Sequence, residues 1–224
     1  MKKKTINVNG KPFSYLGEEG DKYIFEKMQA KDGENLLSLA KKLLSTLEIE
    51  YFLIYGTLLG AVREGHIIKG DDDIDIAIFS KDEDRLYNAL PYLAENGLFI
   101  NRIFSSELYS FHASERKGHI DIYLVNEFGP SLWRPFCYTI CNHSIPKRFL
   151  NDFSIVKLGS DEHRCPADPE KVLAWLYGKD WRIPQAKKGK QDVLLRRIWL
   201  FPAWTFRKAK KIPRKLKSII CQPQ

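Results

Sequence analysis

The segment Asp71-Asp72-Asp73-Ile74-Asp75-Ile76-Ala77-Ile78 constrains this chain more than any other. Side chains alternate across a β-strand, so residues two apart share a face. Read as a strand, the segment puts Ile74, Ile76 and Ile78 on one side and Asp73 and Asp75 on the other. Isoleucines in phase demand a core beneath them, whereas carboxylates in phase repel each other. A divalent cation held by carboxylate oxygens and by a substrate's phosphates removes that conflict. The pattern therefore predicts a metal–phosphate site on a strand whose other face is core. The plainer reading, a solvated turn built from aspartates, does not account for Asp75 between two isoleucines.

A third acid recurs in the same style. His119-Ile120-Asp121-Ile122-Tyr123 sets Asp121 alone on an otherwise apolar or amphipathic strand. If that strand lies beside Ile74–Phe79, three carboxylates meet. Three acids can hold two metals about 3.5–4 Å apart and support in-line displacement at phosphorus. Upstream, the apolar run Tyr51–Tyr55 reads as a buried strand. Gly56-Thr57 ends it, and a short helix is expected over Leu58–Arg63. Glycine lets the backbone approach a phosphate, and helix N–H groups favour an anion. Arg63, His66 and Lys69 lie between this turn and the acidic strand, where they could neutralise a di- or triphosphate. Bland readings stand beside these: a solvent-facing Asp121, an ordinary corner at Gly56-Thr57, and surface charges at Arg63 and Lys69. His66, His112, His119 and His143 have no evident partner in sequence and read as structural.

Alternation and turn signals organise the rest. Thr5–Val8 and Pro12–Tyr15 flank Asn9-Gly10, a type I′ hairpin signal. Lys22–Met28 reads as a further strand. A helix from Asp32 carries Leu36, Leu37, Leu39, Ala40, Leu43, Leu44 and Leu47 as an apolar stripe. Another is expected over Asp82–Glu95, then strands over Leu98–Phe104, Leu108–Ala113 and His119–Val125. After Pro130 strand and loop are mixed. Phe153–Leu158 reads as a strand and Pro169–Tyr177 as a helix closed by Gly178.

The order strand, Gly-Thr, helix, Asp-Ile-Asp strand and later Asp-bearing strand resembles the nucleotidyltransferase fold. More narrowly, GTLLGAVREG at 56–65 followed by DDDIDI at 71–76 resembles the LicD/fukutin-type phosphotransferase family. His119-Ile120-Asp121-Ile122 is similar to its second acidic strand. Leu176-Tyr177-Gly178-Lys179-Asp180-Trp181 with Pro184 is similar to its closing Tyr-Gly-x-x-Trp-x-x-Pro segment. The likeness runs over residues 35–185 and is densest at 51–80. The chain departs from the family at Lys69-Gly70, where Pro-Trp is usual.

The resemblance implies an α/β (α+β) fold: a nucleotidyltransferase-like mixed β-sheet flanked by helices. Asp73 and Asp75 become ligands of Mg²⁺ or Mn²⁺, and Asp121 a third ligand or the base. Gly56 and Thr57 become the donor-phosphate turn, with Arg63 and Lys69 stabilising charge. The implied reaction moves a phosphate-linked group, phosphocholine- or phosphoalditol-like, from a CDP-linked donor. The acceptor would be a cell-surface glycan (lipopolysaccharide or capsule) or its lipid-linked precursor. Two rivals are a nucleotidyltransferase adding NMP to a sugar phosphate, RNA or protein, and a non-catalytic membrane-binding module.

Charge separates the tail from the body. The whole chain carries 36 Lys/Arg against 28 Asp/Glu, a net +8. Residues 186–220 hold twelve Lys/Arg and one acid, Asp192, leaving the remainder mildly acidic. In residues 194–220 aromatic and aliphatic side chains are interleaved with arginines and lysines, as in an interfacial helix on an anionic membrane surface. Nucleic acid is the weaker partner, because no recognition motif accompanies the charge. The expected organisation is a β-hairpin region at 1–31, a catalytic domain at 32–185 and a basic amphipathic C-terminal helical extension at 186–224. No apolar h-region follows the basic start and no apolar stretch approaches spanning length. The expected location is cytoplasmic, peripheral at the inner face of the membrane. Four cysteines in a chain of 224 residues do not make a disulfide scaffold; a zinc site from Cys137, Cys141, His143 and Cys165 matches no common finger spacing. Walker, Rossmann and Ser-hydrolase motifs are absent.

Overall fold

The computed structural model describes residues 2–17, 28–104, 107–115, 117–127, 137–141 and 143–184. The chain divides into a unit of Met1–Arg182 and a second of Ile183–Gln224. The expected strand at Lys22–Met28, apart from Met28, and the basic extension lie outside the described residues. Among those described, no helix is long and apolar enough to cross a membrane.

The first unit is α+β. A hairpin of β1 (Lys2–Val8) and β2 (Lys11–Gly17) opens it. Asn9 and Gly10 have φ of 52° and 78°, as a type I′ turn requires. Helix α1 (Ala30–Thr46) starts two residues before the expected Asp32. Asp32 instead sits in its first turn and accepts a hydrogen bond from the Gln29 amide at 3.1 Å. Next come β3 (Tyr51–Leu53), α2 (Tyr55–Arg63) and β4 (Asp73–Phe79). The stretch read as one helix over Asp82–Glu95 is a 3₁₀ turn at Ser80–Asp82, then α3 (Glu83–Asn88) and α4 (Leu90–Glu95). Pro91 accounts for the break, because proline lacks the N–H and clashes with the preceding turn. Strands β5 (Leu98–Phe104), β6 (Leu108–Ala113) and β7 (His119–Glu127) follow. The mixed region resolves into β8 (Cys137–Ile140) and β9 (His143–Pro146). The unit closes with hairpin β10 (Phe153–Leu158) and β11 (Asp161–Pro166), then α5 (Pro169–Tyr177).

The central sheet is mixed, in the order β3-β4-β7-β6-β5, with β8 and β9 added beyond the end of β7. Among the described residues its one parallel pair is β4 with β7. Strand alternation works as the sequence demands. Ile74, Ile76, Ile78, Ile120, Ile122 and Leu124 are fully buried. The face carrying Ile74 meets α1, where Gly33 comes so close that an added Cβ would lie 3.1 Å from Ile74 Cδ1. Each buried isoleucine contributes roughly 1.5–3 kcal/mol. Three of them on β4 hold the strand in place against the cost of the carboxylates on its other face.

Hairpin β10–β11 brings a buried polar pair to the core edge. Tyr51 Oη lies 2.8 Å from His163 Nδ1, and His163 is 2% exposed. Burial, then the nearby Lys41 charge, lower the His163 pKa to about 4. The unfolded imidazole titrates near 6.5. Between those values the unfolded chain binds the extra proton, so stability falls as pH drops through that window. Urea midpoints measured from neutral pH to about pH 4 should decline less steeply in His163→Gln than in the native chain.

Candidate active site

Parallel pairing of β4 with β7 sets Asp75 directly opposite Asp121 and Asp73 opposite His119. The two strands start together because Gly118, at φ +78°, lets the His119 amide donate to the Asp72 carbonyl at 3.1 Å. The condition set by the sequence, neighbouring acidic strands, is met. Asp75 and Asp121 are 6% and 3% exposed.

Asp75 is held from several sides. The Gly56 amide donates to its Oδ2 at 2.9 Å, and its own amide donates to Thr57 Oγ1 at 2.7 Å. The Tyr123 hydroxyl also donates to its carboxylate. A Cβ on Gly56 would lie 3.2 Å from Asp75 Oδ2 and 3.4 Å from Asp71 Oδ2. Gly56 and Thr57 are thus in the first turn of α2, not in a corner before it. The chain leaves β3 after Leu53, and Ile54 donates to the Asp75 carbonyl at 3.3 Å. Tyr55, at φ +47°, then opens α2, so the strand ends two residues earlier than the apolar run implied.

Burial raises the pKa of Asp73, with Asp121 and Asp72 adding to the rise and His119 opposing it. Burial raises Asp75 well above the carboxylate range; the charges of Asp73 and Asp121 add, while the Gly56 and Tyr123 donors oppose. Asp121 faces the Arg102 Nη2 at 3.5 Å and the His119 Nε2 at 3.7 Å. Its Oδ1 is buried and has no hydrogen-bond partner among the described residues. Hard oxygen donors, mutual repulsion and a buried oxygen without a hydrogen bond fit a divalent cation. Among the described residues no group of three or more His, Cys, Asp or Glu side chains is placed to hold a metal ion by itself. The set suits an ion that also takes phosphate oxygens, as Mg²⁺ does. The zinc set is not formed: Cys165 is buried on β11, with its Sγ 3.3 Å from Ser154 Oγ.

A pocket of about 270 Å³ opens over Asp73 and Asp75, walled by Tyr55, Tyr123, His143 and Tyr177. Tyr55 and Tyr123 pack edge to face at 5.0 Å. Tyr55 Oη donates to the Ile140 carbonyl at 3.0 Å and lies 3.1 Å from His143 Nδ1. Burial, then the charges of Asp75, Asp71 and Asp73, push the Tyr177 hydroxyl upward, with Arg63 opposing. Arg63 therefore lies in electrostatic reach of the Tyr177 hydroxyl, and its guanidinium is paired with Glu64. Lys69 is exposed in the loop before Asp71, and His66 is turned to the Ile67 carbonyl. Sequence reasoning missed Tyr123, although it shares the period-two face of Asp121. It also missed Tyr55, whose φ of +47° is an uncommon conformation for tyrosine. A larger cleft, about 830 Å³, lies elsewhere around His163. Its Lys41, Arg85 and Arg164 are committed to protein oxygens.

A profile described as "LicD/FKTN/FKRP, nucleotidyltransferase domain" matches residues 48–168, more than half of the chain. That span holds every acid of the site, which makes this a nucleotidyltransferase-type domain. The chain belongs to the LicD/FKTN/FKRP family. Its Rickettsia prowazekii (strain Madrid E) relative RP689 is 31% identical over 159 residues, covering 68% of this chain and 56% of that protein. The Mus musculus ribitol-5-phosphate transferase FKTN is 28% identical over 194 residues, covering 78% of this chain and 39% of that one. The chain thus spans between about a third and just over half the length of the curated relatives it matches. Among solved structures, the lincosamide adenylyltransferase LnuA with lincomycin bound aligns at a TM-score of 0.47 and 16% identity, covering 71% of this chain and 92% of that one. The antibiotic-resistance factor ANT(2'')-Ia aligns at 0.48 and 12%, covering 81% and 95%.

Proposed function

We propose that this domain transfers a phosphate-linked substituent from a CDP-activated donor to a glycan hydroxyl, with Mg²⁺ or Mn²⁺ held by Asp73, Asp75 and Asp121. The observation that carries this reading is the in-register meeting of Asp75 and Asp121 on adjacent parallel strands, with one buried Asp121 oxygen lacking a hydrogen bond among the described residues. Family membership and the transferase name of the FKTN relatives support it.

The acceptor oxygen bonds to the donor's substituted phosphorus, the bond from that phosphorus to the bridging oxygen breaks, and CMP leaves. The acceptor proton passes to a carboxylate oxygen of Asp121. When bound, the metal supplies charge neutralisation for the diphosphate and the acids. The chain's own residues supply position. Gly56 and Tyr123 fix the Asp75 carboxylate, and the missing side chain at Gly56 lets the Asp75 and Asp71 carboxylates approach the first turn of α2. Arg63 and Lys69 serve the charge of the leaving nucleotide. The acidic face is thereby preorganised before substrate arrives, which is the main source of such stabilisation.

Incubation with CDP-ribitol, CDP-choline and each labelled NTP in the presence of Mn²⁺ tests this. CMP release with the substituent appearing on a glycan acceptor is the expected result. Attachment of NMP to an acceptor, or no consumption of any CDP compound, would overturn it.

A further inference from the structure

The acidic face of the sheet continues past Asp121. Register sets Asp75, Asp121, Ser110 and Arg102 side by side on β4, β7, β6 and β5. A β-bulge between Ile100 and Arg102 gives β5 one extra residue there. Asn101 as well as Arg102 therefore meets Ser110, and Asn101 Nδ2 lies 3.4 Å from Ser110 Oγ. Bulges re-aim side chains and recur beside active sites.

The gathered groups do not satisfy one another. Asn101 is 2% exposed, yet its Oδ1 has no hydrogen-bond partner among the described residues; the same holds for buried Arg102 Nε and Asp121 Oδ1. Buried donors and acceptors left unpaired are costly, and each asks for an explanation. Beside them Phe104 is 51% exposed, with the Arg102 guanidinium 5.6 Å from its ring centroid.

We infer that this row is the subsite for a sugar ring of the acceptor; the inference rests on Asp121 bordering the reacting phosphorus. An acceptor (Asn101 Oδ1) and a donor (Arg102 Nε), each without a hydrogen bond among the described residues, belong to consecutive residues at the bulge. A hydroxyl both donates and accepts, so a polyhydroxylated ring answers both. An anion would suit Arg102 but meet Asn101 Oδ1 and Asp121; a cation would meet Arg102. The C–H face of the ring seats on Phe104, and the row leads one hydroxyl to Asp121.

Saturation-transfer NMR of the full chain with methyl glycosides of glucose, galactose and N-acetylgalactosamine tests the subsite. The native chain should bind at least one, and Arg102→Ala and Phe104→Ala should each weaken that binding roughly tenfold. Ile155→Ala, at an exposed position of β10, should not alter it. Phe104 is exposed, so its variant keeps the test decisive if Arg102→Ala unfolds. No glycoside binding to the native chain, or equal binding in a folded Phe104→Ala, would overturn the subsite. Phe104-dependent binding in a protein that consumes no CDP compound would sink the transfer reading and leave the subsite standing.

Discussion

Asp75→Asn should reduce transfer by roughly a thousandfold or more while making the fold more stable. A metal-bound carboxylate supplies several kcal/mol of charge stabilisation in the transition state, and each ~1.4 kcal/mol is tenfold in rate. The stability gain has a separate origin. Burial and the neighbouring acids hold Asp75 above its ordinary value. A carboxyl raised in the folded state favours the fold when protonated, and that favour is lost as pH rises through the folded value. Near neutral pH the charged form therefore opposes folding, and asparagine removes that opposition while still accepting from Gly56. Thermal midpoints should be higher for the variant near pH 7, and the gap should narrow as pH falls through the raised pKa. Mn²⁺ should raise the native midpoint and leave the variant's nearly unmoved. A variant less stable than the native chain at neutral pH would contradict this account.

Gly60→Ala should destabilise the domain by about 1–3 kcal/mol, although alanine is the better helix former. Helix propensity alone favours alanine by about 1 kcal/mol. At Gly60 in α2, however, a Cβ would lie 2.6 Å from the His66 carbonyl oxygen and 3.3 Å from the Ile68 amide nitrogen. Those are backbone atoms, so no rotamer change relieves the contact. Either α2 or the loop at 65–70 must move, and that loop leads into Asp71 and Asp73. Transfer should fall together with the urea midpoint, whereas Gly65→Ala, with open space around it, should pay only for its φ of +74°. Equal midpoints for Gly60→Ala and the native chain would show that the loop yields freely.

Much of the frame could be read from alternation. Ile74–Asp75–Ile76 told core from open face, and Asp121 shared that pattern. Strand pairing is a tertiary property, so the meeting of Asp75 with Asp121 could be posed only as a condition. Three kinds of information were out of reach. The bulge that turns Asn101 and Arg102 to one face leaves no trace in the residue pattern. Tyr55 adopts its left-handed φ because β3 must turn into α2 within two residues, which depends on Ile54 binding the Asp75 carbonyl. Strand β11 reads Asp-Glu-His-Arg-Cys, and its pairing with β10 overrides a weak strand propensity. Gly56-Thr57 carried a signal for close approach; the neighbour so far seen is the Asp75 carboxylate.

The parallel pairing of β4 with β7 has a kinetic meaning. Parallel neighbours need a long crossover, and here it comprises α3, α4, β5 and β6. The acids on the two strands can therefore meet only after the segment between Phe79 and His119 has folded back between them, and such non-local closure is slow. A ligand that bridges them acts on a contact absent until late in folding. Its effect should appear as a longer native lifetime, with the speed of reaching the native state little changed.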